Sequence, residues 1–401
     1  MQRREFLKRF GLGILGTTLF GSEMGDPMAD KAKQKVRIFL CGDVMPGRGI
    51  DQVLPNPSRP NLYEPYVRDA NVYVEIAERV NGPILRPVSN DYIWGDALDE
   101  LRSMAPDLRL INLETAVTTS EAYWRGKGIN YRMHPANIPC LGAADIDGCV
   151  LANNHVLDWG EDGLVETLDT LSNAGIFTVG AGRNLREAVT PAVFELPGGG
   201  RVLLYAIAHP SSGAFEEWRA TVERPGINLL AELSVRSVGE MARQVAAEKR
   251  EGDLAVLSIH WGGNWGYEIP VEQQRFAHQL IDEAGIDVIW GHSSHHPKGI
   301  EVYRGRPILY GCGDLLNDYE GIGGKEAYRG DLSLMYFLTL DPATGELVNL
   351  QMAPMIIGRF QLQRPSASDY EWLQQNLSGQ YGTLGTGVTE IGERRFELIF
   401  Q

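Results

Sequence analysis

VRIFLCGD, residues 36–43, is an apolar run that ends on a carboxylate. Five further runs end in a comparable way. LRLINLE reaches Glu114, GCVLANNH reaches Asn154 and His155, and LAVLSIH reaches His260; DVIWGH reaches His292, with His295 and His296 just beyond, and RPILYGCGD reaches Asp314. Apolar runs of this length between turn residues read as buried strands. In open α/β sheets the ligand sits beyond the carboxyl ends of the strands. The chain is therefore expected to deliver carboxylates, amides and imidazoles to one sheet edge, which is how a metal-assisted hydrolase is built.

Outward from these strands, helices are expected at 95–104, 161–174, about 228–250 and 271–284, the last three closed by Gly175, Gly252 and Gly285. Strands are expected at 108–112, 148–152, 190–196, 201–208, 254–259, 286–290 and 307–311. Residues 50–93 form a proline-containing insertion on the ligand side, a lid or a substrate wall. From 331 the chain turns strand-rich, as in LSLMYFLTL and RRFELIF. Strand–helix alternation with added antiparallel strands predicts α/β layers around one core.

The 401 residues are 43% hydrophobic and 22% charged, ordinary for a folded chain. The formal net charge of −15 repels phosphate backbones and argues against nucleic acid as a partner. It leaves an anionic substrate open, because a metal supplies its own local positive charge. Residues 1–30 read as an export signal: a basic RREFLK run, then the short apolar GLGILGTTLFG at 11–21. The paired Arg3 and Arg4 resemble a twin-arginine signal. With no clear A-x-A cleavage site, both release to the periplasm or cell surface and retention as an N-terminal membrane anchor stay open, and a cytosolic basic start is the alternative. Cys41 and Cys312 lie in apolar strands and read as buried thiols, whereas Cys140 and Cys149 are spaced to bridge a short loop.

Each candidate residue has a plainer reading beside it. Asp43 follows Gly42, and Gly-Asp is also turn chemistry. Glu114 is a ligand or a helix cap. Asn153, Asn154 and His155 at a buried strand end need hydrogen bonds or a metal. Asp158 either orients His155 or caps the next helix, and capping is the stronger expectation. His260 lies in SIHWGGNWG, where glycines clear space beside it, and His292 and His295 lie in GHSSHH, against which stands an exposed His-rich loop. Asp314 is a positioning or turn residue, and Asn317 and Asp318 read as turn chemistry. Arg48, Arg125, Lys127 and Arg132 are available to hold an anion. There is no G-x-S-x-G elbow for a catalytic serine.

Together GDVMPGR (42–48), INLETAVT (111–118), LANNHVLDWG (151–160), SIHWGGNW (258–265), GHSSHHPKGIEVYRGRPILY (291–310) and GCGDLLNDY (311–319) resemble the bacterial capsule-synthesis CapA (PgsA-like, poly-γ-glutamate) family, a branch of the calcineurin-like metallophosphatases. The resemblance implies a layered α-β-β-α sandwich over about 36–340, with 341–401 as a C-terminal extension on the same domain. It implies two divalent ions (manganese, iron or zinc) on Asp43, Glu114, Asn154, His260, His292 and His295, with His155 as catalytic acid. Three positions depart from the pattern. Met45 stands where Asp-x-His has its histidine, Glu114 replaces a bridging aspartate, and Gly313-Asp314-Leu315 replaces Gly-Asn-Phe.

The expected function is an exported, metal-dependent protein of capsule metabolism with hydrolase-like chemistry on an amide or phosphoester of an anionic polymer or peptide. Alternatives are a non-catalytic, membrane-anchored accessory of a capsule-synthesis complex, and a peptide-modifying hydrolase or epimerase outside capsule biology.

Overall fold

A computed structural model describes residues 34–196, 198–392 and 394–401; the expected export signal lies outside them. Among the described residues no helix is long and apolar enough to cross a membrane.

Two sheets carry the fold. In the six-stranded sheet, Arg201–Ala208, Leu254–His260, Val288–His292 and Arg306–Leu309 run parallel, and Ala192–Glu195 and Ile300–Tyr303 close its edges antiparallel. The strands are apolar throughout because both faces are covered. Val202, Leu204, Val256, Val288 and Trp290 face the larger core, while Leu203, Tyr205, Leu257, Ile259 and Ile289 face the helices Val235–Glu248 and Val271–Ala284. The alternation is the two-residue period of a strand, read once for each face.

The second sheet has eleven strands. Its parallel half holds Val36–Cys41, Asp43–Val44, Leu108–Leu113, Gly148–Val150, Phe177–Val179 and Asp314–Leu316. Leu332–Asp341 then pairs antiparallel with Val36–Cys41, and Glu346–Gly358 and the C-terminal hairpin Gly387–Ile391/Arg395–Ile399 extend it. Residues beyond 340 thus belong to this sheet rather than to a separate one. Leu101 of helix Ala97–Met104 and Leu164, Leu168 and Leu171 of helix Gly160–Asn173 join the core that also takes the inner face of the six-stranded sheet, giving the expected α-β-β-α layering. Trp290 ties the two sheets directly, its indole N–H donating to the Cys41 carbonyl at 2.7 Å.

Several expected elements are shorter than their patterns. The helix expected from 228 begins at Val235, because the Ser234 hydroxyl accepts from the Ser237 N–H and caps it there. The strand expected at 190–196 spans Ala192–Glu195. All four cysteines are buried free thiols, so Cys140 and Cys149 form no bridge.

Gly42 lets the first strand continue into the site. A side chain there would place Cβ 1.9 Å from the Gly313 carbonyl oxygen, the same oxygen that accepts the Asp43 N–H at 2.9 Å. Backbone cannot yield as a flexible side chain does. Gly42→Ala is expected to cost about 3 kcal/mol, the upper end for overpacking, read as a lower midpoint in thermal unfolding; an unchanged midpoint contradicts the crowding.

Candidate metal centre

The parallel strands of both sheets end at one place. Asp43 and Asn112 are register partners in one sheet, and His260 and His292 are register partners in the other. Glu114 follows the Leu108–Leu113 strand, and Asn153, Asn154 and His155 follow Gly148–Val150.

Donor atoms of Asp43, Glu114 and His260 lie within 4.8 Å of one another, and all three residues are buried. His292 Nδ1 donates to Asp43 Oδ1 at 2.8 Å, so its Nε2 keeps a bare lone pair. His260 Nε2 meets Asn154 Oδ1 at 3.0 Å, and His155 Nε2 and His260 Nε2 each stand 3.8 Å from Glu114 Oε1. Glu114 Oε2 and His292 Nε2 are buried and have no hydrogen-bond partner among the described residues. Two orphaned acceptors in one buried cluster are costly unless a donor or a cation satisfies them. The donor set, carboxylate oxygen and neutral imidazole, suits a divalent ion. The residues therefore fit a metal ion at Asp43, Glu114 and His260.

Electrostatics agree with that fit. Burial alone would raise Asp43, but the hydrogen bond from His292 and the electrostatic pull of the neighbouring imidazoles outweigh it and hold the carboxyl below its usual range. Burial and the neighbouring Asp43 charge push Glu114 well above its usual range. The two neighbouring carboxyls are thus pushed apart, Asp43 downward and Glu114 upward. Burial lowers His260 to about 3, keeping it neutral and able to bind metal.

His155 stands beside this cluster. Its Nδ1 meets Asp158 Oδ2 at 2.6 Å. Asp158 also accepts from the Tyr131 N–H at 2.6 Å and pairs with the Lys127 ammonium, which contacts the Asn154 carbonyl and stands 2.9 Å from His155 Nδ1. The carboxylate is the nearer partner and can only accept, so the ring proton sits on Nδ1 and Nε2 is left open. Burial lowers His155 to about 4, against the opposing pull of Asp158. Asp158 does not cap the following helix; Trp159 holds the N-cap position without a side-chain bond. The correction follows from burial: enclosed with a lysine and a histidine, Asp158 is worth more as their counter-charge than as a cap.

His295 forms a second pair. Its Nδ1 meets Asp314 Oδ1 at 2.9 Å and its Nε2 meets the Asn264 amide at 2.9 Å; Asn317 steadies Asp314 at 2.8 Å. Burial would lower His295, but the Asp314 charge and hydrogen bond raise it. Met45 is buried nearby, its sulfur 3.8 Å from the hydroxyl of Tyr319, whose ring meets His295 edge-on. His296 turns away: it accepts from the Gly266 N–H at 3.1 Å and stacks on Tyr328.

Three of the four cations expected to hold an anion are committed elsewhere. Arg48 is buried between Asp318 and Glu64, so Asp318 is the counter-ion of an internal pair and not turn chemistry. Lys127 serves Asp158, and Arg132 pairs with Glu121 and lies over Trp159. Arg125 alone stays exposed. Sequence reading missed Asn112. Its amide donates to Asp43 Oδ1 at 2.7 Å, reaches to 3.4 Å from His260 Nδ1 and accepts from Asn153, which in turn receives the His155 N–H. The signal was available: Asn112 lies on the strand two residues before Glu114, the spacing of the strand's two-residue period.

Two facing sheets whose parallel strands deliver this buried cluster define a layered α/β protein of the metallophosphatase-like class. The chain belongs to the bacterial capsule synthesis protein PGA_cap family, whose model matches residues 37–319. It is 50% identical over 365 residues to a Mycobacterium tuberculosis protein named "probable polyglutamine synthesis accessory protein", covering 91% of this chain and 96% of that one. It is 26% identical over 280 residues to the Bacillus subtilis "PGA biosynthesis protein CapA", covering 70% and 62% of the two chains. It is 24% identical over 307 residues to the Bacillus anthracis "capsule biosynthesis protein CapA", covering 76% and 65%.

Proposed function

We propose that this protein is exported and acts in poly-γ-glutamate or related capsule metabolism as a metal-dependent enzyme, with hydrolase-like chemistry on an amide or phosphoester of an anionic polymer. The observation that carries the reading is the buried Asp43–Glu114–His260 cluster with its two unsatisfied acceptors, Glu114 Oε2 and His292 Nε2. Asp43, Glu114, Asn154, His260 and His292 would hold a divalent ion, manganese, iron or zinc. His295, oriented by Asp314, would serve a second ion beside Met45. A bound ion supplies Lewis acidity and makes hydroxide available near neutral pH.

The chain's own residues supply the rest. His155, with its proton on Nδ1 toward Asp158, accepts a proton at Nε2 and returns it to the leaving group. Lys127 and the Tyr131 N–H hold Asp158, and Asp158 holds the ring. Asn112 and Asn153 fix the backbone and side chains on which Asp43, His260 and His155 depend.

A second reading, a non-catalytic accessory that binds the polymer, is favoured by the word "accessory" in the name of the mycobacterial relative. Elemental analysis tests the first reading. Wild-type protein is expected to carry divalent metal, and Asp43→Ala and His292→Ala to lose most of it. Protein that neither carries metal nor takes up manganese, iron or zinc would sink the enzyme and leave the accessory.

The pH dependence has a definite sign. Metal binding needs Glu114 ionised, yet burial and Asp43 keep it protonated above the ordinary carboxylate range. Uptake should therefore strengthen as pH rises from mildly acidic toward neutral and release a proton. Calorimetry in buffers of different ionisation heat counts that proton. Uptake that is indifferent to pH contradicts the assignment of Glu114.

A further inference from the structure

We propose that two aromatic clusters at opposite ends of the candidate metal centre hold a linear glutamyl polymer across the strand ends. An internal stretch of the polymer, not its terminus, then meets the centre. The identity of the polymer rests on the proposed function; the two clusters do not.

The site residues form a row. The strands Asp314–Leu316, Asp43–Val44, Leu108–Leu113 and Gly148–Val150 are consecutive neighbours in the larger sheet. They present Asp314, then Asp43, then Asn112 with Glu114, then Asn153 to His155. Neighbouring strands lie about 4.8 Å apart, so the row runs about 14 Å.

His295, held by Asp314, marks one end. The Trp265 ring lies 5.3 Å from that of His295 and 5.4 Å from that of Tyr328. Next to Trp265 in the chain, the Asn264 carbonyl accepts from the His295 N–H at 2.9 Å, which ties the indole to the site. The exposed Lys325 ammonium stands 5.7 Å from the Trp265 ring and pairs with no described carboxylate; its neighbour Glu326 accepts from the Gly324 N–H at 2.7 Å. His155 marks the other end. Lys127, 2.9 Å from His155 Nδ1, lies 5.1 Å from the Trp218 ring. Trp124 meets Trp218 edge-on at 5.6 Å and Phe215 at 6.1 Å, and its backbone N–H donates to the Asp158 carbonyl at 2.7 Å. Trp124, Phe215, Trp265 and Tyr328 are only half buried, unlike core rings such as Trp290 and Tyr336.

Aromatic faces suit this ligand. A γ-linked chain alternates amide planes with methylenes, both of which lie against a ring, and each residue carries a carboxylate for Lys325. With two more backbone bonds than an α-linked residue, a γ-linked one extends about 6 Å. Crossing the row takes roughly three residues, and reaching both clusters takes more.

Isothermal titration of the full chain as purified tests this with γ-glutamyl oligomers, in the cold and with mass spectrometry to confirm intact ligand. The octamer is expected to bind about tenfold or more tightly than the dimer, and equally well with both ends capped. Trp265→Leu and Trp124→Leu should each weaken octamer binding about tenfold, the loss of one aromatic contact, at unchanged thermal midpoints; Phe215→Leu replaces Trp124→Leu if that variant does not fold. Lys325→Gln should weaken it about threefold, and equal binding overturns the charged contact. An octamer no tighter than the dimer overturns the crossing. Loss in one cluster's variant alone overturns the two-ended mode. A capped octamer that fails to bind shows that the terminus is read, which overturns the internal stretch. Tighter binding of a neutral glucan octamer overturns the glutamyl polymer as the ligand. No binding by any oligomer overturns both subsites and leaves the metal reading to its own elemental analysis.

Discussion

Arg48→Met is expected to destabilise the protein by about 3–5 kcal/mol, the cost of breaking a buried ion pair by removing one partner. The guanidinium donates through Nε to Asp318 Oδ2 at 2.8 Å, through Nη2 to Asp318 Oδ1 at 2.5 Å and through Nη1 to Glu64 Oε1 at 3.0 Å. It also lies 3.7 Å over the Tyr73 ring and 4.7 Å from that of Tyr131. All three charged side chains are at most 2% exposed. Removing the arginine strands two carboxylates in a space water does not reach. Burial already raises Glu64 despite Arg48, and without the arginine that rise is unopposed. Arg48→Lys should lose most of the same energy, because a single ammonium cannot reproduce the fork on Asp318. The surface pair Arg102–Asp99, 69% and 58% exposed, is the control: breaking it should cost no more than about 1 kcal/mol. Urea denaturation reads both, and equal losses would contradict the argument from burial. The effect would reach the site, because Tyr131 meets His155 edge-on at 4.6 Å and its hydroxyl meets that of Tyr319 at 3.1 Å.

His155→Asn is expected to lower turnover by about 10²–10⁴-fold, the usual range for a positioned acid–base group, with metal content unchanged. His155 stands with Nε2 3.8 Å from Glu114 Oε1, near the cluster yet held by Asp158 rather than by it. The smaller amide keeps a polar group that can reach Asp158 and loses the proton transfer. Asp158→Asn should fall between wild type and His155→Asn, since the ring survives but loses the acceptor that fixes its tautomer. Release of glutamyl fragments from poly-γ-glutamate and of nitrophenolate from a nitrophenyl phosphodiester are the two assays, with elemental analysis in parallel. A variant as active as wild type, with its metal in place, removes His155 from the chemistry. A variant that loses its metal makes it a ligand instead.

The strand ends were legible because burial writes itself locally: an apolar run stopping on Asp43, His260 or His292 announces a strand and what it presents. The runs by themselves read as one sheet edge, whereas the strands divide between two sheets; the layering was implied only by the family resemblance. Pairings across long stretches of chain were not legible. Nothing near Asp318 shows that its partner lies at Arg48, 270 residues away. The helix-like pattern before Val235 was real in hydrophobicity but was overruled by one hydroxyl at Ser234. Asp158 was read by its neighbours in sequence, a helix start, when its neighbours in space were Lys127 and His155. Asn112 escaped notice because an amide among apolar residues looks incidental until the strand beside it is seen to end on Asp43.

The division of the cluster between sheets sets how its chemistry can change. The eleven-stranded sheet contributes the oxygens of Asp43, Glu114 and Asn154, and the six-stranded sheet contributes the nitrogens of His260 and His292. Hard and borderline donors thus sit on separate frameworks, joined only where the frameworks meet. The two edges are tied at the cluster, His292 Nδ1 to Asp43 Oδ1 and His260 Nε2 to Asn154 Oδ1, so a substitution at one edge is felt by the groups of the other. Under the metal reading proposed above, the choice of ion would belong to the two sheets jointly rather than to either edge alone.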